Sequence, residues 1–551
     1  MNSENKLTRR LVRYRYPVLA LFCGLLYLTN LGGYLLFDVD EPRYAETARQ
    51  MIASGDYVVP MFNGAPRFEK PVLTYWLAAG AYHLFGVNEF AARLPSALCA
   101  LGTVLLTCLL AGRLIGSGAG LLAGCILAGC LQFFAIGRMS LTDMPLTFFL
   151  TATLVMFALG SGAEQEGKSG GKFFLASFAA AGLAVLTKGP VGLLLPAAII
   201  IVQLFFTGRG GEIAKRIPFV SGTAALCLIA LPWYVLVCRA TDFEFFRVFI
   251  VQHNFQRFFG SVAPGGQHVQ PIYYYLPCLI IGIYPWSFFA VQSFVSPIYR
   301  LVRDFRLKRS TSEPLTFPLL WAGLVLVFFS LSRAKLPTYI TTAFPPLAIL
   351  ISGYLSRAVA DRQESGADGR LIRPALFGLA AAGLLAGFVF LRGGQLAPFE
   401  TGSLPLTAAL CFLAGPLAAA GLALRQKFLG AFLSQLAGQS LLLLMIALVL
   451  MPAVSDYRQL SQKILTRQAC TLLGDSGTLA AYRYRKTALT FYSCRTVTYL
   501  EADDGDSSFA RLSVPLVIIT RTAYADELAG KYPGLERLAG QADLSLFIRR
   551  E

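Results

Sequence analysis

The stretch FDVDEPRYAE, residues 37–46, decides how the chain is read. It sets four carboxylates, Asp38, Asp40, Glu41 and Glu46, beside Arg43 at the end of a long apolar run. That run, PVLALFCGLLYLTNLGGYLLF over 17–37, is too long for the apolar core of a signal peptide and lacks a small-residue cleavage site. It reads as a first membrane crossing, so the carboxylates stand where the chain leaves the bilayer.

The composition agrees. The 551 residues are 55% hydrophobic and only 14% charged, with a mean hydropathy of +0.58, more apolar surface than a soluble multi-domain chain needs. The sequence predicts a polytopic α-helical membrane protein. Apolar segments long enough to cross a core of about 30 Å fall at 16–37, 93–112, 117–137, 142–160, 173–188, 190–207, 217–238, 272–296, 315–332, 337–356, 373–391, 404–424 and 430–453, about thirteen in all. The formal charge of +17 comes from 48 basic against 31 acidic residues and reads first as topology rather than nucleic-acid binding. With the N-terminus inside, the basic loops holding Lys168 and Lys172, then Arg209, Lys215 and Arg216, then YRLVRDFRLKRS, then 357–373, then RQK all fall on the cytoplasmic side.

Two regions stand apart from this pattern. The chain divides into a transmembrane domain over 1–454 and a polar tail over 455–551, placed by parity outside the cytoplasm. The tail segments LSQKILTRQACTLL, GTLAAYRY, TVTYL, VPLVIITR and LSLFIRR alternate helix-like and strand-like patterning and predict a small α/β domain. It carries no glycine-rich phosphate loop. Nine of the eleven cysteines lie in apolar segments; Cys470 and Cys494, in the tail, are the exceptions and sit where a disulfide is permitted. The second region is the first loop, 38–92. In PRYAETARQMIASGD, Tyr44, Ala48, Met51 and Ile52 share a face, Pro42 suits a first helical turn and Gly55 a helix end; KPVLTYWLAAGAYHLFG is a second, more apolar helix. Both are expected to lie along the membrane interface.

The remaining charges fall in loops on the same outer face: Glu69 and Lys70, Arg138 and Asp143, Lys188, His253, Arg257 and His268, Arg333 and Lys335. Ionisable groups beside a membrane are expensive and tend to persist where they bind or react. Each also has a plain reading. Asp40 and Asp143 sit where acids cap helices, and capping and catalysis both remain open for Asp40. Lys188 in LTKGP reads equally as a snorkelling lysine, Arg257 and Lys335 as lipid-headgroup contacts, and His253 as an interfacial histidine. Three scattered histidines make no zinc pattern.

DEPRYAETARQMIASGDYVVP, RFEKPVLTYW, TDMP, LTKGP, HNFQRFFG and AKLPTYI together resemble the bacterial lipid A aminoarabinose transferases, a branch of the polyprenyl-phosphate glycosyltransferases with the GT-C fold. The likeness is dense in the membrane half and positional only in the tail. It implies transfer of 4-amino-4-deoxy-L-arabinose from undecaprenyl phosphate to lipid A phosphates at the periplasmic face of the inner membrane, which weakens cationic peptides such as polymyxin. It puts the family's first-loop carboxylate on Asp40 and its lysine on Lys70, followed by Arg43 and Tyr44 in the same motif. Asp143 falls on the second acidic loop, Arg257 and Tyr339 on donor-phosphate motifs, and a divalent metal such as zinc would select Glu69 and His253. Asp38 is an acid that the family pattern does not require.

Chemistry gives these residues roles. The departing phosphate calls for cations and hydrogen-bond donors, here Lys70, Arg257 and Tyr339 with Arg138 and Lys335 as further candidates, and the sugar cation calls for a carboxylate. A carboxylate such as Asp143 or Glu69 suits the donor's 4-amino group. The rival readings are a transferase for another polyprenyl-linked sugar or a protein hydroxyl, a lipid transporter, and a non-enzymatic scaffold. A transporter calls for polar groups deep in its spans and often for interrupted helices or paired halves, whereas here the charges gather at one face and no internal repeat is evident.

Overall fold

The computed structural model describes residues 9–208, 210–256, 269–307, 313–364, 369–393, 404–474, 476–503, 509, 512–532 and 534–550. Contacts divide the chain into two compact units. One comprises Met1–Thr29, Phe68–Thr74 and Leu94–Ala447; the other comprises Asn30–Arg67, Tyr75–Arg93 and Leu448–Glu551.

The first unit is helical. Among the described residues of the whole chain, six helices are long and apolar enough to cross a membrane, or up to eight if each of two bent pairs is one span. Shorter apolar helices are Arg15–Leu28, Val191–Thr207, Thr316–Leu331, Pro374–Val389 and Phe412–Leu424. Several expected spans are therefore interrupted. The first is helical only over Arg15–Leu28, because the chain turns at Asn30, whose φ is 55°. The segment expected over 117–137 is Ser117–Ala128 and Leu131–Gly137, bent by 69°. The one expected over 272–296 is bent by 116° between Ile272–Gly282 and Ser287–Arg306, where Pro285 offers no N–H to continue a helix.

Large apolar side chains such as Leu21, Val220 and Leu228 are 75–88% exposed, the surface expected of helices that face lipid. Small residues let helices approach closely. A Cβ on Gly438 would lie 2.4 Å from the Cα of Gly415, so Leu404–Leu424 and Phe428–Met445 meet backbone to backbone.

The second unit holds the first-loop helix and the tail. Asp40–Ser54 forms where Pro42 and Gly55 predict its ends, with Gly55 at φ 70°. Tyr44, Ala48 and Met51 are buried as the periodicity requires, but so are Glu41, Glu46 and Thr47, so the helix is enclosed by protein on more than its apolar face. It packs against Ala488–Ser493 and the short strand β1 (Met61–Phe62), which pairs antiparallel with β2 (Ala65–Pro66).

Beyond the helix Ser461–Leu473 lies a five-stranded sheet of β3 (Thr478–Tyr482), β4 (Val497–Leu500), β5 (Leu516–Arg521), β6 (Glu536–Gln541) and β7 (Leu544–Arg549), ordered β4-β3-β5-β7-β6. The first three strands are parallel and β7 runs antiparallel to both its neighbours. Alternate residues of β3 and β5 face two cores, one around Leu465, Ala469, Leu479 and Val517, the other around Ala480, Ile518, Leu528 and Phe547. Strand β6 is absent from the sequence reading: its outer residues are polar, and a register shift between Arg537 and Ala539 breaks the alternation. Cys470 and Cys494 are both free thiols in the structure.

Candidate functional site

In the first unit, Lys188 closes the helix Gly171–Lys188 and Asp143 opens the helix Asp143–Gln165. A cation at a helix C-terminus and an anion at an N-terminus each oppose the local backbone dipole. Here they also meet: Lys188 Nζ donates to Asp143 Oδ1 at 2.7 Å, with side chains only 12% and 11% exposed. Asp143 thus pairs with a lysine, while the preceding residue Thr142 holds the cap position without a side-chain cap bond. Gly189 lets the chain turn away after the lysine: its φ is 88°, and a Cβ there would lie 2.5 Å from the ring of Phe249. Pro190 then starts Val191–Thr207.

The Lys188 ammonium lies 4.5 Å from the centre of the Tyr339 ring, a cation–π contact that fixes both groups. Tyr339 stands in the 3-10 turn Pro337–Ala343 and packs on Phe329. Lys188 and Tyr339 line a cavity of about 130 Å³ together with Glu69, Lys70, His253 and Ser332; Val191, Phe249, Phe328 and Phe329 give it apolar walls. Lys70 Nζ donates to the carbonyl of Glu69 at 3.0 Å. The cavity thus presents two ammonium groups, one of them paired with Asp143, together with a phenol and the Glu69 side chain.

Other expected cations lie elsewhere or are engaged. Arg138 has no exposure: its Nη1 donates to the carbonyls of Leu26 and Tyr27, and the guanidinium lies 5.3 Å from the ring of Phe134, which ties Leu131–Gly137 to the first helix. Lys335 is 4% exposed and donates to the carbonyls of Gln270 and Ser332. Burial lowers its pKa. Arg257 and His268 lie outside the described residues.

The expected metal donors Glu69 and His253 share the cavity. Among the described residues, no three of His, Cys, Asp and Glu form a group that would hold a metal. Zinc takes three or four protein ligands in its usual sites, and Glu69 and His253 supply two, so these residues alone do not fit one.

In the second unit the four opening carboxylates separate by environment. Asp38 accepts from Thr487 Oγ1 and, at 3.2 Å, from the Ala488 amide, with Lys486 Nζ at 3.5 Å. Glu41 is buried in a two-pronged ion pair with Arg93, both bonds 2.9 Å, and also accepts from the Phe37 amide. Arg93 spends its other donors on the carbonyls of Leu31, Tyr34 and Leu35. Glu46, fully buried, accepts from Arg49 twice at 2.7 Å and from Gln50. Asp40 is exposed in the first helical turn and, alone of the four, has no hydrogen bond or ion pair among the described residues. Arg43, one residue beyond Pro42, is half-buried, and Tyr44 is buried, stacked on Tyr75 with the Arg67 guanidinium 4.6 Å from its ring.

Sequence reasoning did not foresee Glu41 and Arg93 as partners. They stand 52 residues apart, and only the fold brings them together.

Comparison with known proteins shows what the chain is similar to. Residues 69–234 match a family of dolichyl-phosphate-mannose-protein mannosyltransferases. The chain is 29% identical over 494 residues, covering 89% of it and 87% of its relative, to the undecaprenyl phosphate-alpha-4-amino-4-deoxy-L-arabinose arabinosyl transferase of Shewanella sediminis. It is 34% identical to the protein of the same name from Edwardsiella ictaluri, over 63% of this chain and 60% of that one. The fold matches the crystal structure of ArnT from Cupriavidus metallidurans bound to undecaprenyl phosphate, with a TM-score of 0.78, 24% identity and 97% of both chains covered. It matches the oligosaccharyltransferase AglB of Archaeoglobus fulgidus more distantly, with a TM-score of 0.55, 15% identity and 97% and 74% coverage. The chain is similar to the bacterial aminoarabinosyl transferases along most of its length and has the GT-C fold of ArnT.

Proposed function

We propose that this protein moves 4-amino-4-deoxy-L-arabinose from undecaprenyl phosphate to phosphate groups of lipid A at the outer face of the bacterial inner membrane. The reading is carried by the likeness to an aminoarabinosyl transferase along 89% of the chain. In the same reading residues 455–551 form a soluble periplasmic domain, and the shorter and bent apolar helices complete about thirteen crossings.

The chemistry is a displacement at the anomeric carbon. The bond from that carbon to the carrier phosphate oxygen breaks, and a lipid A phosphate oxygen forms the new one. Undecaprenyl phosphate departs with one more negative charge than it carried in the donor, and Lys70 and Lys188 hold that charge while Tyr339 supplies a hydroxyl. Asp143 positions Lys188 through their ion pair. A lipid A phosphate monoester, with a second pKa near 6, is already largely a dianion at neutral pH, so its attack needs no strong base. Asp40, which has no hydrogen bond or ion pair among the described residues, is assigned to the acceptor side, orienting it or offsetting the charge of the sugar cation. Lipid A polymyxin affinity falls as phosphate charge is masked.

The match to protein mannosyltransferases supports a second acceptor class, a protein hydroxyl, for which Asp40 would serve as a true general base. Mass spectrometry of lipid A from cells with and without the protein separates the two: gain of an aminopentose on phosphate supports the first reading, and unchanged lipid A overturns it.

A further inference from the structure

Cys470 and Cys494 stand outside the pattern of the other cysteines, which lie in apolar segments. Cys470 sits on Ser461–Leu473, near its C-terminus, and is partly exposed. Cys494 ends the helix Ala488–Ser493 at φ 55°, a left-handed position, and is exposed. These two helices pack against each other. Cys470 Sγ lies 3.5 Å from the carbonyl oxygen of Ser493, an atom in the same planar peptide unit as the Cα of Cys494. Cys494 Sγ turns instead toward the carbonyl of Phe491 at 3.6 Å. Burial raises the pKa of the Cys470 thiol, and the Arg495 guanidinium offsets part of that rise.

We propose that Cys470 and Cys494 close into a disulfide that clasps the helix Ser461–Leu473 to the segment holding the Asp38 turn. The proposal rests on the reading that the tail lies outside the inner membrane. The oxidant is the disulfide of a thiol–disulfide oxidoreductase of that compartment: both thiols lose their protons, one Sγ–Sγ bond forms, and the enzyme's disulfide takes up the two electrons and two protons to become a dithiol. The clasp acts on the helix that holds Asp38. Thr487 and the Ala488 amide, at the start of the Cys494 helix, hold the carboxylate of Asp38, two residues from Asp40. Helix Ala488–Ser493 also packs on Asp40–Ser54. Fixing its far end to Ser461–Leu473 removes freedom from the support beneath that carboxylate.

The test uses the full chain in cells and after purification without reductant. Free thiols are blocked with N-ethylmaleimide before proteolysis and mass spectrometry, and the expected product is the Cys470 peptide linked to the Cys494 peptide. Full alkylation of both cysteines without prior reduction overturns the bridge. A membrane-impermeant maleimide is applied in parallel to cells with a permeabilised outer membrane. Labelling of both sites only after reduction supports bridge and compartment together. Labelling without reduction keeps the compartment and overturns the bridge. No labelling before or after reduction, with both sites reactive once the cells are lysed, overturns the compartment and the proposal with it. Reductant is also expected to lower the thermal midpoint of the native protein and to leave Cys470→Ser/Cys494→Ser unchanged; equal responses of the two proteins overturn the clasp.

Discussion

Replacing Lys188 by methionine separates its structural from its chemical part. The lysine is the partner of a carboxylate with only 11% side-chain exposure, at 2.7 Å. Removing one member of a buried pair costs about 3–5 kcal/mol. Asp143 recovers about 0.3–1 kcal/mol from the helix N-terminus it occupies. With the remaining exposure, the net loss is about 2–3 kcal/mol. Lys188→Met should therefore unfold at a clearly lower temperature in detergent. The double variant Asp143→Asn/Lys188→Met removes the orphaned charge and should regain most of that stability. Activity should not follow. A hydrogen bond from a charged donor contributes about 1.5–3 kcal/mol, so turnover of the double variant should stay about ten- to a hundredfold below the native enzyme. The assay is transfer from a purified aminoarabinose donor, beside thermal unfolding on the same preparations. A double variant that is stable and turns over at the native rate would refute a phosphate-binding role for Lys188 and leave the pair as a helix clamp.

Three further outcomes are expected. Asp40→Asn should abolish transfer while leaving thermal stability and undecaprenyl phosphate binding unchanged, because this carboxylate makes no bond within the described fold; a large loss of stability would mean that its role is structural. Arg93→Met should destabilise the protein by about 3–5 kcal/mol by stranding Glu41, and a thermal midpoint within experimental error of the native value would contradict the ion pair. Lys70→Ala should weaken undecaprenyl phosphate binding about tenfold or more, measured by ligand-induced thermal shift, and unchanged affinity would remove Lys70 from the donor site.

Local chemistry made part of this architecture readable. The expected spans over 173–188 and 190–207 part at Gly189, and the structure ends one helix at Lys188, turns at Gly189 with φ 88° and starts Val191–Thr207 after Pro190. The strands β3, β4, β5 and β7 form within segments whose β-branched and aromatic residues predict them. What depends on distant partners was not readable. Spacing cannot tell that Glu41 meets Arg93 or that Arg138 ends among the carbonyls of Leu26 and Tyr27. The carboxylates of FDVDEPRYAE look alike in one dimension, and only the fold separates the paired Asp38, Glu41 and Glu46 from the open Asp40. Hydropathy windows likewise pass over the Asn30 turn and the bend at Pro285, because a break in direction leaves the mean apolarity unchanged.

The most direct measurement is transfer by the purified, reconstituted protein given undecaprenyl phosphate-linked aminoarabinose and lipid A, with products resolved by mass spectrometry. Lipid A should gain an aminopentose on a phosphate, with release of undecaprenyl phosphate, and Asp40→Asn should yield neither. Donor left intact beside unmodified lipid A, or sugar recovered on a protein hydroxyl instead, would contradict the assignment.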